Sequence, residues 1–218
     1  MSTPPRTSNH LGFLTVIDHS HYGPIGGYLV LNVAGRPLEF HCTAPIKSNR
    51  AQEVLYGETF KPFLYGEQIG QTLLSRAKSE PAYVLTDVEP VLAAQDFFEK
   101  PLIFVFGVKK AIETAERPQT SQISEELSES FKSFGIDRHQ TLKESESEPT
   151  FQLESVPGLD INRWKEIKIG KRTIAVPYRQ PVDWDHIVGG LQQVSRMIDI
   201  AEPFARIRLA IEEAQKVA

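Results

Sequence analysis

The sequence predicts an α/β protein with one mixed, five-stranded sheet, and three observations lead to this prediction. Short β-rich runs separated by turn signals open the chain, helical periodicity follows, and a nearly all-apolar run closes the first half. The 218 residues, 40% of them hydrophobic, are enough for a large domain with a real core. We therefore expect a three-strand antiparallel meander followed by the order α-β-α-β, and then a C-terminal hairpin and two helices.

The first three strands are predicted from alternation and from the residues that interrupt them. Residues 11–18 form one β-rich run and residues 27–33 form the next, with a loop rich in glycine and proline between them. The third run, residues 37–43, alternates between apolar and polar side chains, which predicts a strand with one buried face. The apolar positions of this run are Leu38, Phe40 and Cys42.

Helical periodicity and capping residues predict the elements that follow the meander. Ser48 and Asn49 are candidate N-caps for a first helix, and Pro62 fits the first turn of a second helix. Residues 82–87 predict a short strand, a short helix follows, and the apolar run at 101–108 predicts a strand buried on both faces. Because a helix crosses between these two strands, we expect them to be parallel.

The composition divides the chain into four regions. They are a disordered tail at 1–10, a core domain at 11–110, an acidic Ser/Glu-rich linker or insertion at 111–158, and a hairpin plus helical region at 159–218. Charge supports this division, since residues 111–160 hold 4 basic and 11 acidic side chains, whereas residues 161–218 hold 10 basic and 7 acidic ones. The acidic stretch is unsuited to a nucleic-acid surface because phosphates repel it.

Targeting signals and cysteine content predict the compartment. No stretch approaches 18 continuous apolar residues, so we expect no membrane span, and the N-terminal residues lack the apolar segment of a signal peptide. The single cysteine, Cys42, excludes a disulfide within the chain and a cysteine-rich zinc site. Together these features favour a reducing cytoplasm.

Three carboxylates lie where the predicted elements could bring them together. Asp18 ends the first strand, Glu53 lies in the first turns of the first helix, and Asp87 ends the fourth strand. The ends of two neighbouring strands and a helix over the sheet can converge on one point. Hydrolysis of a phosphodiester by two metal ions needs carboxylates that hold the ions about 4 Å apart, and magnesium prefers oxygen ligands.

The element order and three short segments resemble the ribonuclease H-like fold superfamily over residues 11–108. GPIGGYLVL (23–31) is similar to the glycine-rich turn into the second strand of ribonuclease H, SNRAQE (48–53) to its helix entry, and VLTD (84–87) to its T-D step. The resemblance implies a metal-dependent nuclease or nucleic-acid-processing subunit that acts on nucleic acid. The catalytic residues and ligands of Mg²⁺ or Mn²⁺ would be Asp18, Glu53 and Asp87.

Other residues could complete or replace such a site. Asp183 or Asp185, in the segment VDWDHI with His186, could supply a fourth acidic ligand, and His19 or His21 could move a proton. The following residues could hold zinc: His19, His21, His41 and Cys42. Neighbours on a strand face opposite sides, so the pair at 41 and 42 would not ligate together, and we expect Cys42 to be a buried structural residue.

Two further interpretations concern the C-terminal region. Trp164 and Trp184 lie near basic residues, so they could stack bases of a single strand, although anchoring their elements to the core is the favoured interpretation. The alternative function is a non-catalytic adaptor or assembly subunit. Such a subunit would hold a protein partner through the acidic segment and the helices at 183–218.

Overall fold

A computed structural model describes residues 10–19, 22–108, 164–177 and 184–217. The strands are β1 (Leu11–His19), β2 (Gly23–Leu31), β3 (Pro37–Cys42), β4 (Tyr83–Thr86), β5 (Leu102–Val105), β6 (Trp164–Ile169) and β7 (Arg172–Pro177). The α-helices are α1 (Arg50–Tyr56), α2 (Gln71–Arg76), α3 (Trp184–Ser195) and α4 (Glu202–Val217). A 3₁₀ turn spans Gly57–Thr59, a π-helix Pro62–Gly70 and a 3₁₀-helix Glu89–Phe97. The predicted linker at 111–158 and residues 1–9 of the predicted tail lie outside the described residues.

The seven described strands form one mixed sheet in the order β3-β2-β1-β4-β5-β7-β6. The meander β1-β2-β3 is antiparallel, and β4 pairs parallel with β1 as β5 does with β4, which confirms the predicted α/β class and strand directions. The sheet has seven strands rather than five because the predicted C-terminal hairpin joins it. Strand β7 pairs antiparallel with β5 and so satisfies the backbone groups of a strand that would otherwise be an edge.

Apolar side chains cover both faces of the sheet and make two separate cores. On the C-terminal face, helices α3 and α4 bury the side chains Ile187, Leu191, Val194, Phe204, Ile207 and Ile211 against the sheet. On the π-helix face, the π-helix, α2 and the 3₁₀-helix bury Leu64, Tyr65, Ile69, Leu73, Val91 and Leu92. Both helices predicted at the C-terminus therefore belong to the core of the protein.

The predicted second helix and the helix before β5 are both irregular. Pro62 lies in the first turn, as predicted, but nine residues form a π-helix before α2 begins. Its Gly66 packs so closely against the 3₁₀-helix that a Cβ atom there would lie 2.6 Å from Cβ of Ala93. The first helix has its predicted cap, since the Asn49 side chain accepts a hydrogen bond from the Gln52 amide at 2.8 Å.

Two adjacent glycines in β2 allow both helical layers to approach the sheet. The loop predicted before residue 27 is wrong, because β2 begins at Gly23. A Cβ atom on Gly26 would lie 2.1 Å from Cγ2 of Ile69, and one on Gly27 would lie 2.3 Å from Cγ2 of Ile207. Neighbouring residues of a strand face opposite sides, so each glycine makes room for the helix layer on its own side.

The apolar face predicted for β3 is exposed. Leu38 and Phe40 are 46% and 39% exposed, and Cys42, predicted to be a buried structural residue, is an exposed free cysteine. Strand β3 is an edge of the sheet, whereas α4 packs over β1 and β2. The alternation correctly predicts a strand, but the helix that would bury its apolar side lies over the neighbouring strands.

Glu39 ties the edge strand β3 to the segment before β4. Its carboxylate accepts hydrogen bonds from the backbone amides of Lys78 and Ser79, both at 2.8 Å, and lies 2.5 Å from Nε2 of His41. Burial acts to raise the pKa of Glu39, but the hydrogen bonds from His41, Lys78 and Ser79 outweigh it and lower this pKa from 4.5 to about 2. The ionised carboxylate is therefore part of the folded structure.

We expect Glu39→Gln to lower the free energy of unfolding at neutral pH and to weaken the dependence of stability on acid. Because the folded pKa lies below the unfolded value, the carboxylate contributes fully above pH 4.5. Its contribution then declines as the pH falls and is lost near pH 2. Urea unfolding at several pH values should show the two proteins converging over this window, with the exposed Glu58→Gln as control. A difference that stays constant with pH would contradict this assignment.

Candidate functional site

Asp18 lies near the carboxyl end of β1, an interior strand of the sheet, and is exposed. Its Oδ2 accepts a hydrogen bond of 3.1 Å from the hydroxyl of Tyr65, which lies on the π-helix. Burial, together with the Asp18 carboxylate, raises the pKa of Tyr65 above its ordinary value. The phenol therefore stays protonated and keeps Asp18 oriented, while the carboxylate remains accessible from solvent.

Asp87 directly follows β4 and is enclosed by the protein. Its carboxylate forms an ion pair with Arg208 of α4, whose Nη2 donates to Oδ2 of Asp87. The same nitrogen lies 3.4 Å from Oγ1 of Thr15, on β1. Asp87 is not the N-cap of the 3₁₀-helix that follows, since Val88 occupies that position.

Asp18 and Asp87 lie on opposite faces of the sheet. The parallel register pairs Phe13 with Leu85 and ends at Leu14 opposite Thr86, so the residue level with Asp87 is one step beyond Leu14. Asp87 shares its face with Leu85 and meets α4, whereas Asp18 meets the π-helix. Asp18 also lies three residues further along β1 than the level of Asp87, about 10 Å at the rise of a strand.

The structure gives Glu53 a local partner. It lies on α1, a helix without buried residues, and its Oε1 accepts a hydrogen bond of 2.6 Å from the Ser48 hydroxyl.

The candidate fourth ligand that the structure describes, Asp185, is also far from Asp18 and Asp87. Asp185 lines a cavity of about 270 Å³ together with Leu11 and Tyr83, which begin β1 and β4. This is the opposite end of both strands from Asp18 and Asp87, and Asp183 lies outside the described residues.

The histidine and cysteine alternative is also spread out. His41 pairs with Glu39, Cys42 is exposed on the other side of β3, and the His19 ring contacts the Tyr22 ring at 4.8 Å. His21 and the side chains of Trp164, Trp184 and His186 lie outside the description. Within the part of the chain that the structure describes, no group of three His, Cys, Asp or Glu side chains could hold a metal ion.

The described side chains therefore do not fit a shared two-metal centre. Two ions about 4 Å apart need ligands that converge on one side of the sheet, whereas Asp18 and Asp87 point away from each other. Asp87 in addition has a positively charged side chain against its carboxylate. The three-carboxylate metal site remains a prediction of the sequence.

An exposed aromatic surface near Asp18 was not predicted from the sequence. Tyr22, half exposed in the turn after β1, contacts His19. Tyr56 is exposed and stacks on Phe63 of the π-helix with ring centroids 4.2 Å apart. The π-helix that carries Phe63 also carries Tyr65, the hydrogen-bond partner of Asp18. The elements that carry these side chains meet around the carboxyl end of β1, and we call Tyr22, Tyr56, Phe63 and Asp18 the β1-end surface.

Exposed basic residues lie beside the β1-end surface. The backbone oxygen of Ile46 would lie only 2.3 Å from a Cβ atom on Gly23, so the segment that carries Lys47 runs beside the β1–β2 turn. Lys47 and Arg50 are both exposed. Aromatic rings and positive charge together can bind single-stranded nucleic acid, the rings by stacking on bases and the cations by attracting phosphates.

The described residues contain no helix that is both long and apolar enough to cross a membrane.

Comparison with known proteins adds distant structural neighbours. No protein-family model matches the sequence, and no curated protein does. The chain is similar to endonuclease V of Ciona intestinalis in complex with a 23mer DNA containing an inosine followed by a ribo-adenosine, with a TM-score of 0.43, 13% identity, and coverage of 96% of this chain and 87% of that chain. A complex of the same enzyme with a 24mer has a TM-score of 0.40 at the same identity and coverage.

A third structural neighbour matches part of the chain. Argonaute of Marinitoga piezophila, in complex with 5′ OH guide RNA, has a TM-score of 0.26 and 9% identity over 46% of this chain and 16% of that chain. The strand order itself identifies the architecture, since β1 to β5 form an antiparallel meander extended by two parallel strands. This is the strand order that the resemblance of residues 11–108 to the ribonuclease H-like superfamily implies.

Proposed function

We propose that this chain is a nucleic-acid-processing protein with a ribonuclease H-like core. It binds single-stranded nucleic acid at the β1-end surface. The observation that supports the proposal most directly is the exposure of two aromatic rings, those of Tyr22 and Tyr56, beside exposed basic residues. Asp18 is an exposed carboxylate near the end of β1, and the buried Tyr65 holds it in place. Exposed rings of Tyr22 and Tyr56 can stack on bases, and Lys47 can contact the backbone phosphates.

The finer form of the proposal is divalent-metal-dependent hydrolysis of a phosphodiester bond. In this form Asp18 would be the first ligand of Mg²⁺ or Mn²⁺, and the family resemblance also implies Glu53 and Asp87. Asp87 could take part only after separation from Arg208, because the guanidinium now occupies one of its oxygens. Asp18 requires no such change, so it is the carboxylate to test first.

Binding is tested by fluorescence anisotropy with labelled 20-nucleotide single-stranded DNA and RNA at fixed low salt. We expect Tyr22→Ala and Tyr56→Ala each to weaken affinity by about 5- to 150-fold, since stacking is worth roughly 1–3 kcal/mol per base. The control Leu209→Ala removes an exposed apolar side chain from α4 and should leave affinity unchanged. Equal affinity for the wild type and both tyrosine variants would exclude this surface.

Cleavage is tested on the same strands with and without Mg²⁺ or Mn²⁺. Metal-dependent cleavage that is lost in Asp18→Asn would support the hydrolytic form of the proposal. Binding with no cleavage under either condition would instead support a non-catalytic nucleic-acid-binding subunit. Circular dichroism of Asp18→Asn serves as the folding control, because this substitution keeps the shape of the side chain and an acceptor for Tyr65.

A non-catalytic assembly subunit is the second candidate function. The observation that favours it is the ion pair of Asp87 with Arg208, which neutralises a carboxylate on which the hydrolytic form depends. A protein partner docked on the helices at 183–218 would have to use residues other than those in the core, such as the exposed Met197 and Leu209. Pull-down of a partner by the wild type but not by Met197→Glu and Leu209→Glu would support this candidate.

A further inference from the structure

A buried ion pair connects the end of β4 to the last helix. The Asp87 side chain has no exposed surface and that of Arg208 is 17% exposed, yet the two residues are 121 positions apart in the chain. An isolated charge is strongly unfavourable in the protein interior, so a buried carboxylate needs a counter-charge or several hydrogen bonds. Among the described residues, Arg208 is the cation paired with Asp87.

Helix α4 holds Arg208 firmly at this position. Phe204 and Ile207 are fully buried against the sheet, and the ring of Phe204 meets that of Phe13 edge-on with centroids 5.5 Å apart. On the side of α4 away from Asp87, Arg206 Nη1 donates a hydrogen bond of 2.8 Å to the backbone oxygen of Gly35. The position of the Arg208 guanidinium therefore depends on the packing of the whole of α4 against the sheet.

Two atoms of the pair keep a free hydrogen-bonding capacity. Oδ1 of Asp87 and Nη1 of Arg208 are buried and have no hydrogen-bond partner among the described residues. Oδ1 is an acceptor and Nη1 is a donor, so the pair as it stands presents one of each and carries no net charge. A magnesium ion, in contrast, keeps several of its own waters and would bring two positive charges next to the guanidinium.

We propose that Arg208 is the resident counter-ion of Asp87 and holds the place that the family resemblance assigns to a divalent metal ion. Asp87 then binds no divalent metal in the native protein, and the ion pair instead fastens α4 to the end of β4. The inference does not depend on nucleic-acid binding. It restricts metal chemistry at this end of the sheet to the opposite face, where Asp18 lies.

The test counts bound Mn²⁺ by electron paramagnetic resonance in four full-length proteins without nucleic acid. They are the wild type, Asp87→Asn, Arg208→Gln and the double variant. We expect the wild type and Asp87→Asn to bind the same number of ions. Arg208→Gln removes the counter-ion, so any ion that this variant gains at Asp87 must be absent from the double variant, which lacks the carboxylate as well. One ion fewer in Asp87→Asn than in the wild type would overturn the proposal.

Thermal melting tests whether the ion pair stabilises the fold, and it also shows whether each variant is folded. Each single variant leaves one buried charge unpaired and should melt about 10 °C below the wild type, whereas the neutral double variant should recover part of that loss. If a single variant does not fold, the wild type and the double variant still decide the question. Equal ion counts in these two support the assignment, and a higher count in the wild type contradicts it.

Discussion

Replacing Phe204 with alanine is expected to lower the free energy of unfolding by about 3–5 kcal/mol. The ring is fully buried between α4 and β1, where it packs edge-on against Phe13. Its loss removes the apolar contact and leaves a cavity that a sheet and a helix on either side cannot close. For a chain of this length the melting temperature should fall by roughly 10 °C. Urea unfolding and calorimetry measure both quantities.

The matched control for this prediction lies on the same helix. Leu209 is 57% exposed, so Leu209→Ala should change the free energy of unfolding by less than about 0.5 kcal/mol. A small effect of Phe204→Ala would mean that α4 contributes little to stability. In that case α4 could move away from β4, and Arg208 would no longer be a permanent partner of Asp87.

Gly27→Ala is expected to have the second large effect, a destabilisation of about 1–3 kcal/mol. The new Cβ would lie 2.3 Å from Cγ2 of Ile207 and 2.8 Å from Cδ1 of Ile211. Cγ2 is attached directly to the branched Cβ of Ile207, so α4 itself must shift to relieve the contact. The Arg208–Asp87 pair is carried by the same helix and should be loosened as well. Urea unfolding measures the change in stability.

Gly189→Ala is the matched control for Gly27→Ala, since it adds the same methyl group. Gly189 lies inside α3, and no atom comes within 4 Å of an added Cβ there. Alanine is the better helix former, so this variant should be stabilised by about 0.5–1 kcal/mol. Equal effects of the two substitutions, in sign and size, would contradict close packing of α4 on β2.

The element order was predictable because it depends on local patterns. The alternation in β3, the Asn49 cap, Pro62 in the first turn of its helix and the C-terminal hairpin are local features, and each occurs where the sequence predicts it. Contacts between elements that are far apart in the sequence could not be predicted in this way. Periodicity shows that a strand has an apolar face, but it does not show whether a helix reaches that face. In β3 the apolar side chains are exposed, and the helix α4 packs on β1 and β2 instead.

The relative position of the candidate site residues also depends on contacts that the sequence does not report. The sequence places Asp18 and Asp87 near the carboxyl ends of two neighbouring strands, and the structure pairs these strands in parallel. Strand residues alternate between faces, however, so a shared site also depends on the register between the strands. With Leu14 opposite Thr86, Asp18 and Asp87 belong to opposite faces. No local pattern in either strand reports this register.

The sequence by itself determined the α/β class, the antiparallel meander and the parallel pair that follows it, because these depend on periodicity and on crossover connections. Only the tertiary structure decided that the C-terminal hairpin extends the sheet and that Arg208 of α4 neutralises Asp87. The physical reason is that a buried charge takes its partner from whichever element packs above it. In this protein that element is the last helix, which the described contacts place over β1 and β2 with Arg208 at the end of β4.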